Sequence, residues 1–474
     1  MDIILRRHTL VDTPSFILAL VALSALLLIS KWIRIVTPLF QRYFIPTSII
    51  AGLLGLAAGP QVLGKIVPGE TFDSGLFTEG IMETFGLMPE ILITIIFAAL
   101  FLGKSLPGPK SIWKQAGPQL SYGLTVGWGQ YVIGLLLALF VLSTFFDLPP
   151  AAGALIEISF QGGPGTAAGL SSTFESLDFE DGAELALGLA TIGILSAVIA
   201  GMIIVNWGIR NNKTKQAEKP SELSQSEKKG IFTEEGVSAG NLTTRQQSIE
   251  SLTIHVAHIG AAIGTGLLVQ WAFVELEKLT WGAMFNVYIF EYVPLFPLAM
   301  AGGVVVQLLS KRLFKFTIIN RELIKRIQGL SLDLLITASV ASLSLTVIGN
   351  NLLPFLILAA AGILWNVLAL LFLAPRMMPD HWFERGIVDF GQSMGMTPTG
   401  LLLLQIVDPE RKTPAFDSFG YKQLLFEPVM GGGLFTAASL PLIVQFGAVP
   451  MLILTSVLFV VWLLIGLLHF GRRK

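Results

Sequence analysis

Eleven apolar runs, each close to the length of a membrane-crossing helix, recur along the chain, and a bilayer core demands about 20 such residues per helix. They are 14–30, 45–60, 89–103, 119–146, 181–209, 252–274, 293–310, 329–350, 354–374, 428–446 and 450–469. Charged residues make up only 13% of the 474, where soluble proteins carry about 25%. Mean hydropathy is +0.72. Too few polar side chains exist to cover the surface of a soluble enzyme of this size. High apolar content excludes disorder, and 48 glycines without a three-residue period exclude a collagen. The chain reads as an all-α polytopic membrane protein, with the lipid bilayer as its solvent.

A net charge of −1 offers no basic excess for nucleic acid. The absence of cysteine excludes disulfides, thiolate metal sites and thiol nucleophiles. Arg6 and Arg7 precede an apolar run, but no small-residue cleavage site follows before Lys31, so no signal peptide is read there.

Two further apolar stretches, 150–172 and 386–405, are broken by Gly and Pro. Irregular backbone at membrane depth is tolerated only where protein or a wet cavity satisfies it. Both stretches are therefore expected to form re-entrant hairpins. Lys and Arg set the orientation. The loops 31–44, 104–118, 210–250, 311–328, 375–390, 409–427 and 470–474 hold 27 of the 31 basic residues when placed on one side. That side is expected to be cytoplasmic, although Arg6 and Arg7 fall opposite. The segment 211–250, rich in Lys, Glu, Ser and Gln, reads as a flexible cytoplasmic linker.

The halves flanking this linker repeat one another. Phe44-Ile45-Pro46 recurs as Tyr292-Val293-Pro294, Glu90-Ile91-Leu92-Ile93-Thr94 as Asp333-Leu334-Leu335-Ile336-Thr337, and Thr166 with Gly169-Leu170 as Thr397 with Gly400-Leu401. The matches keep their order. Each half holds five spans, an odd number, so the second copy enters the membrane inverted. The expected fold is two inverted five-helix repeats, each with a re-entrant hairpin, plus one extra C-terminal helix. Residues 1–210 form the first repeat, 251–447 the second, and 448–474 the extra helix and basic tail. Two hairpins from opposite sides can meet near the midplane, an arrangement of secondary transporters.

The hairpin residues suit small ions. Glycines permit close backbone approach, and a break exposes free N–H and C=O groups. Donors at a half-helix start suit a carboxylate; carbonyls with hydroxyls suit Na⁺. The substrate candidates are Ser159, Gln161, Gly162, Gly163, Gly165, Thr166, Gln392, Ser393, Gly395, Thr397 and Thr399. The sodium candidates are Thr94, Thr337, Gly165, Thr166 and Thr397, with Ser339, Ser342 and Ser344 beside Thr337. An anion and a sodium ion could then share one site without a buried Lys or Arg. The competing reading is that small residues merely let helices pack closely. The paired, inverted placement of the runs favours a site. Glu90 and Asp333 are expected in the first turns of their helices, where the dipole favours a carboxylate.

These motifs carry a resemblance. Tyr43-Phe44-Ile45-Pro46 with Ala51-Gly52, Gly162-Gly163-Pro164-Gly165-Thr166-Ala167-Ala168, Leu330-Ser331-Leu332, Gly391 through Gly395-Met396-Thr397-Pro398-Thr399, and Pro428-Val429-Met430-Gly431 are similar to the bacterial sodium:glutamate symporters. The family commonly has His where Pro164 stands. Its last conserved helix usually carries polar residues where this chain has Leu434-Phe435-Thr436-Ala437-Ala438. The extra C-terminal helix and long linker are also departures. The resemblance implies Na⁺-driven glutamate import, a homodimer in the bacterial inner membrane, and an elevator-like movement of the hairpin domain. It implies Na⁺ as coupling ion and no organic cofactor. Aspartate, 2-hydroxycarboxylates and dicarboxylates are the rival substrates.

Other classes fit less well. Gly103-Lys104-Ser105 lacks the earlier glycine of a phosphate-binding loop, since Ala98 stands there. His255 and His258 share a helix face but lack further metal ligands. No enzyme is read in the chain. A channel could be lined by hairpins but would not concentrate its substrate.

Overall fold

The computed structural model of the protein describes residues 13–42, 45–66, 75–104, 109–214, 229, 231, 238–245, 247–285, 290, 293–313, 318–343, 345–408 and 412–471. Arg6, Arg7, Tyr43, Phe44, Ser105, Tyr292, Ser344 and much of 211–250 lie outside the described residues. Among the described residues every regular element is helical. In chain order the main helices are α1 (Thr13–Val36), α2 (Thr47–Ala58), α3 (Glu79–Ala98), α4 (Pro109–Leu137), α5 (Leu155–Phe160), α6 (Gly163–Gly169) and α7 (Glu180–Arg210). There follow α8 (Ser251–Leu279), α9 (Leu295–Leu313), α10 (Arg321–Ala341), α11 (Leu352–Leu368), α12 (Trp382–Val407), α13 (Ala415–Phe426), α14 (Leu434–Phe446) and α15 (Ala448–Leu464). Single π-helical segments extend α4 (Ala138–Leu142), α11 (Ala369–Leu373) and α15 (Ile465–Phe470).

Eight helices among the described residues are long and apolar enough to cross a membrane: Thr13–Val36, Thr47–Ile66, Glu79–Ala98, Gln115–Phe145, Glu180–Arg210, Ser251–Met284, Leu352–Met377 and Ala448–Phe470. The other three expected spans are helical with different bounds. Run 293–310 is α9, which ends on Lys311 and Arg312. Run 329–350 is divided, because α10 stops at Ala341 and a new helix starts at Leu345. Run 428–446 begins as a loop, since Gly431 and Gly432 have φ of +65° and +96°, and α14 starts only at Leu434. Glu90 and Asp333 are not in first turns. Helix α3 runs through Pro89 from Glu79, and α10 starts at Arg321, capped by the Asn320 side chain on the Glu322 and Leu323 amides. Both carboxylates are therefore mid-helix, and the dipole argument for them fails.

The core is divided between two bodies. One buries Leu23, Phe85, Ile93, Phe296, Leu335 and Val340, from α1, α3, α9 and α10. The other buries Tyr131, Phe160, Leu189, Leu358, Phe390 and Phe426, from α4, α5, α7, α11, α12 and α13. Each body therefore draws on both halves of the sequence. Helix α7 is at the centre: 67% of its apolar window is buried, against 22% for α1 and 17% for α15. The outer helices keep apolar side chains exposed, as a lipid-facing surface requires.

Helix α7 also orders the broken segments. Gly182 lies against Phe174 and Phe179, Gly193 against Phe160 and the Met394 carbonyl, Gly201 against Leu403, and Gly208 against Phe383. Both parts of α12 thus run beside the C-terminal half of α7. The stretch from Phe160 to Phe174 runs beside its N-terminal half. Helix α12 is interrupted at Gly395 (φ −154°) and Met396 (φ +75°). A Cβ on Gly391 would come 2.7 Å from Gly400 Cα. Nine residues of unbroken helix would hold these positions about 13 Å apart, so the chain reverses at the interruption.

Candidate transport site

The two interruptions meet. Gly163 has φ +75°, and a Cβ there would strike the Met396 side chain. A side chain at that position faces a conformational cost and a collision together. Helix α4 passes the meeting point with one polar and small face. Gln119 donates to the Arg385 carbonyl (3.4 Å), Gly123 lies against Lys422, Gly127 lies against the Gln161 amide, and Gln130 donates to Asn366 (3.2 Å) and to the Ser393 carbonyl (2.8 Å). The spacings of four, four and three residues place these groups on one helix side.

Three charged constellations surround the junction. The buried Glu157 carboxylate accepts from the Tyr131 hydroxyl (2.7 Å), the Gly431 amide (2.9 Å) and the Thr436 hydroxyl (2.9 Å). Three donors in this protein environment replace the water that an ionised carboxylate would lose. The Gly431–Gly432 turn supplies that amide, and Gly432 lies close to the Thr166 hydroxyl. Lys422 and Asp389, both 0% exposed, form an ion pair of 2.8 Å, and Lys422 also donates to Gln392 Oε1. Thr397 donates to Glu427 (3.3 Å) and accepts from Gln423 (2.7 Å). Beyond the spans, burial holds the Lys104 ammonium down at about 8, opposed by the Glu427 carboxylate.

Among the described residues, other buried polar atoms here have no hydrogen-bond partner: Ser159 Oγ, both polar atoms of the Gln161 side chain, Gln130 Oε1 and Ser393 Oγ. An unmet buried polar group costs about 1–3 kcal/mol. Their concentration at the junction is what a site for a polar ligand requires.

The structure brings most of the sequence candidates together. Ser159, Gln161, Gly162, Gly163 and Thr166 lie on or beside the first break, and Gln392, Ser393, Gly395, Thr397 and Thr399 on or beside the second. The Thr166 hydroxyl donates to the Gly162 carbonyl (3.0 Å) and Thr399 to the Gly395 carbonyl. Gly165 faces Ile93 and Leu335 of the other body. Thr94 and Thr337 stand in that other body, and their hydroxyls donate to Glu90 and Asp333 carbonyls (2.9 and 2.8 Å). Among the described residues no hydrogen bond joins them to the breaks. Ser339 is buried, and Ser342 bonds back to its own helix.

The expectation of a site without a buried Lys or Arg is wrong. Lys422 is buried beside Gln392, on a helix that the sequence reading treated as loop 409–427. Burial is tolerable because a carboxylate, an amide oxygen and the Phe426 ring (3.8 Å to its centroid) replace water around the ammonium. Gln119, Gln130 and Tyr131 were also missed. Their signal was the polar stripe Gln119, Gly123, Gly127 and Gln130 within an apolar run.

Apolar spanning helices around a buried polar junction define a multi-pass membrane protein with an internal site. The chain belongs to the sodium/glutamate symporter family, whose model matches residues 14–410. This is a family of Na⁺-coupled transporters, not of enzymes. No curated protein matches the chain.

Proposed function

We propose that the protein imports glutamate with Na⁺ through the bacterial inner membrane, by an elevator-like alternating-access movement. The hairpin body, built on α4, α7, α11 and α12, would move against the body of α1 to α3 and α8 to α10. The observation that carries this reading is the cluster of unpartnered buried polar atoms where the two breaks meet. Its amides and hydroxyls offer both donors and acceptors, as an amino acid with two carboxylates and an ammonium needs.

Several features support the inverted-repeat architecture. Helices α3 and α10 end at Ala98 and Ala341, which the sequence match pairs. Helices α2 and α9 both start just after the matched prolines Pro46 and Pro294. The chain reverses at Gly395–Met396, and the breaks approach each other from opposite halves of α7. On this reading 150–172 and 386–405 are re-entrant hairpins, 1–210 and 251–447 are the repeats, and 448–474 is an addition. The basic loops and the 211–250 linker face the cytoplasm, and two copies form a homodimer.

Substrate binds at Ser159, Gln161, Gly162, Gly163, Gly165, Thr166, Gln392, Ser393, Gly395, Thr397 and Thr399. Sodium binds near Thr94, Thr337, Gly165, Thr166 and Thr397. A threonine hydroxyl that donates to its own helix still presents lone pairs to a cation. The driving force is the Na⁺ gradient together with the membrane potential, worth about 2.3 kcal/mol per charge per 100 mV.

Uptake of radiolabelled glutamate into proteoliposomes, with and without an inward Na⁺ gradient, tests the proposal. Uphill accumulation only with Na⁺ is expected. Equilibration indifferent to Na⁺ would instead indicate a channel. Na⁺-driven uptake of aspartate, a 2-hydroxycarboxylate or a dicarboxylate, but not glutamate, would replace the substrate.

A further inference from the structure

We propose that Lys422 is a tethered cation: its ammonium fills a cation site formed by Asp389 and Gln392, so one ion position is held by a side chain. The site's oxygens come from one face of α12, three residues apart. Asp389 Oδ1 lies 2.8 Å from the ammonium, and Gln392 Oε1 accepts from it. The ring of Phe426 covers the ammonium at 3.8 Å, with that of Phe419 at 5.3 Å. An ammonium has three donors and no acceptor; two meet oxygens here, while aromatic faces supply the remaining stabilisation.

Several features favour a cation site over an ordinary buried ion pair. A carboxylate and a carboxamide oxygen are ligands that a hard cation shares with an ammonium. The lysine reaches them because Gly123 of α4 leaves room: a Cβ there would lie 2.6 Å from Lys422 Cε and 3.0 Å from Nζ. The neighbouring Arg385 engages Asp380 at 3.3 Å, and among the described residues Lys422 is the ion-pair partner of Asp389. Gln392 is itself among the proposed substrate residues, and Ser393 follows it at the meeting of the breaks, so the cation borders the proposed substrate site. With Lys422 in place the position is neutral and needs no ion from solution. Without it, a buried carboxylate and an amide oxygen are left to recruit one.

The identity of that ion rests on the Na⁺-coupled reading above, and the test separates the two. Purified wild type, Lys422→Met and the double variant Lys422→Met/Asp389→Asn are compared for binding of radioactive sodium and for melting temperature in Na⁺, Li⁺, K⁺ and choline at equal ionic strength. Lys422→Met should bind one more Na⁺ per protomer than wild type, with a rise in melting temperature in Na⁺ over choline that exceeds the wild-type rise. The double variant should return to the wild-type sodium count and the wild-type rise. If Lys422→Met is monodisperse only in Na⁺, that rescue is the same result in another form. A Lys422→Met protein with the wild-type sodium count and no Na⁺-dependent melting shift beyond that of wild type overturns the proposal. So does its aggregation in every medium, with or without survival of the double variant, because the pair is then a structural requirement. Glutamate uptake is measured on wild type alone. Its failure would remove the symport reading and leave the sodium-binding result standing.

Discussion

In the body of α1 to α3 and α8 to α10, buried amide and charged groups gather toward helix ends. Arg34 donates to the Ile45 carbonyl, Glu277 accepts from Trp281 and the Phe290 amide, and Gln307 accepts from the Gly103 amide. In the body of α4, α5, α7 and α11 to α13, Gln130, Glu157, Gln161, Asp389 and Gln392 lie inside helices or at their breaks, while Glu384, Arg385 and Asp408 lie at the ends of α12. Hydroxyls divide by residue type in both bodies. Thr84, Thr94 and Thr337 in the first, and Thr125, Thr166 and Thr399 in the second, bond back to their own helices. Among the described residues, buried Ser30 and Ser339 in the first body and Ser121, Ser159 and Ser393 in the second have no partner. A polar group at a helix end meets backbone that the helix itself leaves open. One in mid-span needs a partner from elsewhere, so its retention points to work beyond packing.

The sharpest way to break this contrast is at the meeting of the breaks. Gly163→Leu should abolish Na⁺-driven uptake while leaving membrane insertion and a monodisperse gel-filtration peak intact. The added side chain meets both a positive φ and Met396. Wild-type uptake by this variant would remove the first break from the site. Glu157→Ala comes next. It strands the Tyr131, Gly431 and Thr436 donors, and should destabilise the protein by roughly 3 kcal/mol or more, read as a lowered melting temperature in detergent. A melting temperature equal to wild type would mean that the three donors find other partners.

Much of the fold was legible because two signals are strong. Apolar runs set the helices, and the Gly-rich interruptions near Gly163 and Gly395 marked where they break. Helix bounds at prolines were misread: Pro89 does not start α3, because an α-helix in a low-dielectric setting keeps its remaining bonds. Lys422 was misplaced for a different reason. Counting a lysine as a loop residue assumes that its charge seeks water, and nothing local announces a carboxylate 33 positions earlier in the sequence. The polar face of α4 lay within reach of periodicity. It was hidden by the hydropathy of the run that contains it.

Smaller effects sharpen the contrast. Ser159→Ala and Ser393→Ala remove hydroxyls with no partner among the described residues, so they should leave melting unchanged or slightly raised. Each should weaken glutamate binding about tenfold, a loss of about 1.4 kcal/mol. Destabilisation with unchanged affinity would make these hydroxyls structural. Thr94→Val should raise the half-saturating Na⁺ concentration severalfold with little effect on glutamate affinity at saturating Na⁺. An unaltered Na⁺ dependence would confine Thr94 to its helix bond.

The least disturbing change lies in the same helix as Thr94. Gly86 of α3 is exposed, and a Cβ there would meet nothing within 4 Å. Glycine inside a helix costs roughly 0.5–1 kcal/mol relative to alanine. Gly86→Ala should therefore leave uptake unchanged and raise the melting temperature slightly. Paired with Gly163→Leu, it separates glycines kept for a close approach from those with no neighbour to admit. A large loss of uptake from Gly86→Ala would mean that this exposed face of α3 meets something during the transport cycle, and that the supporting body is less passive than its self-satisfied helices suggest.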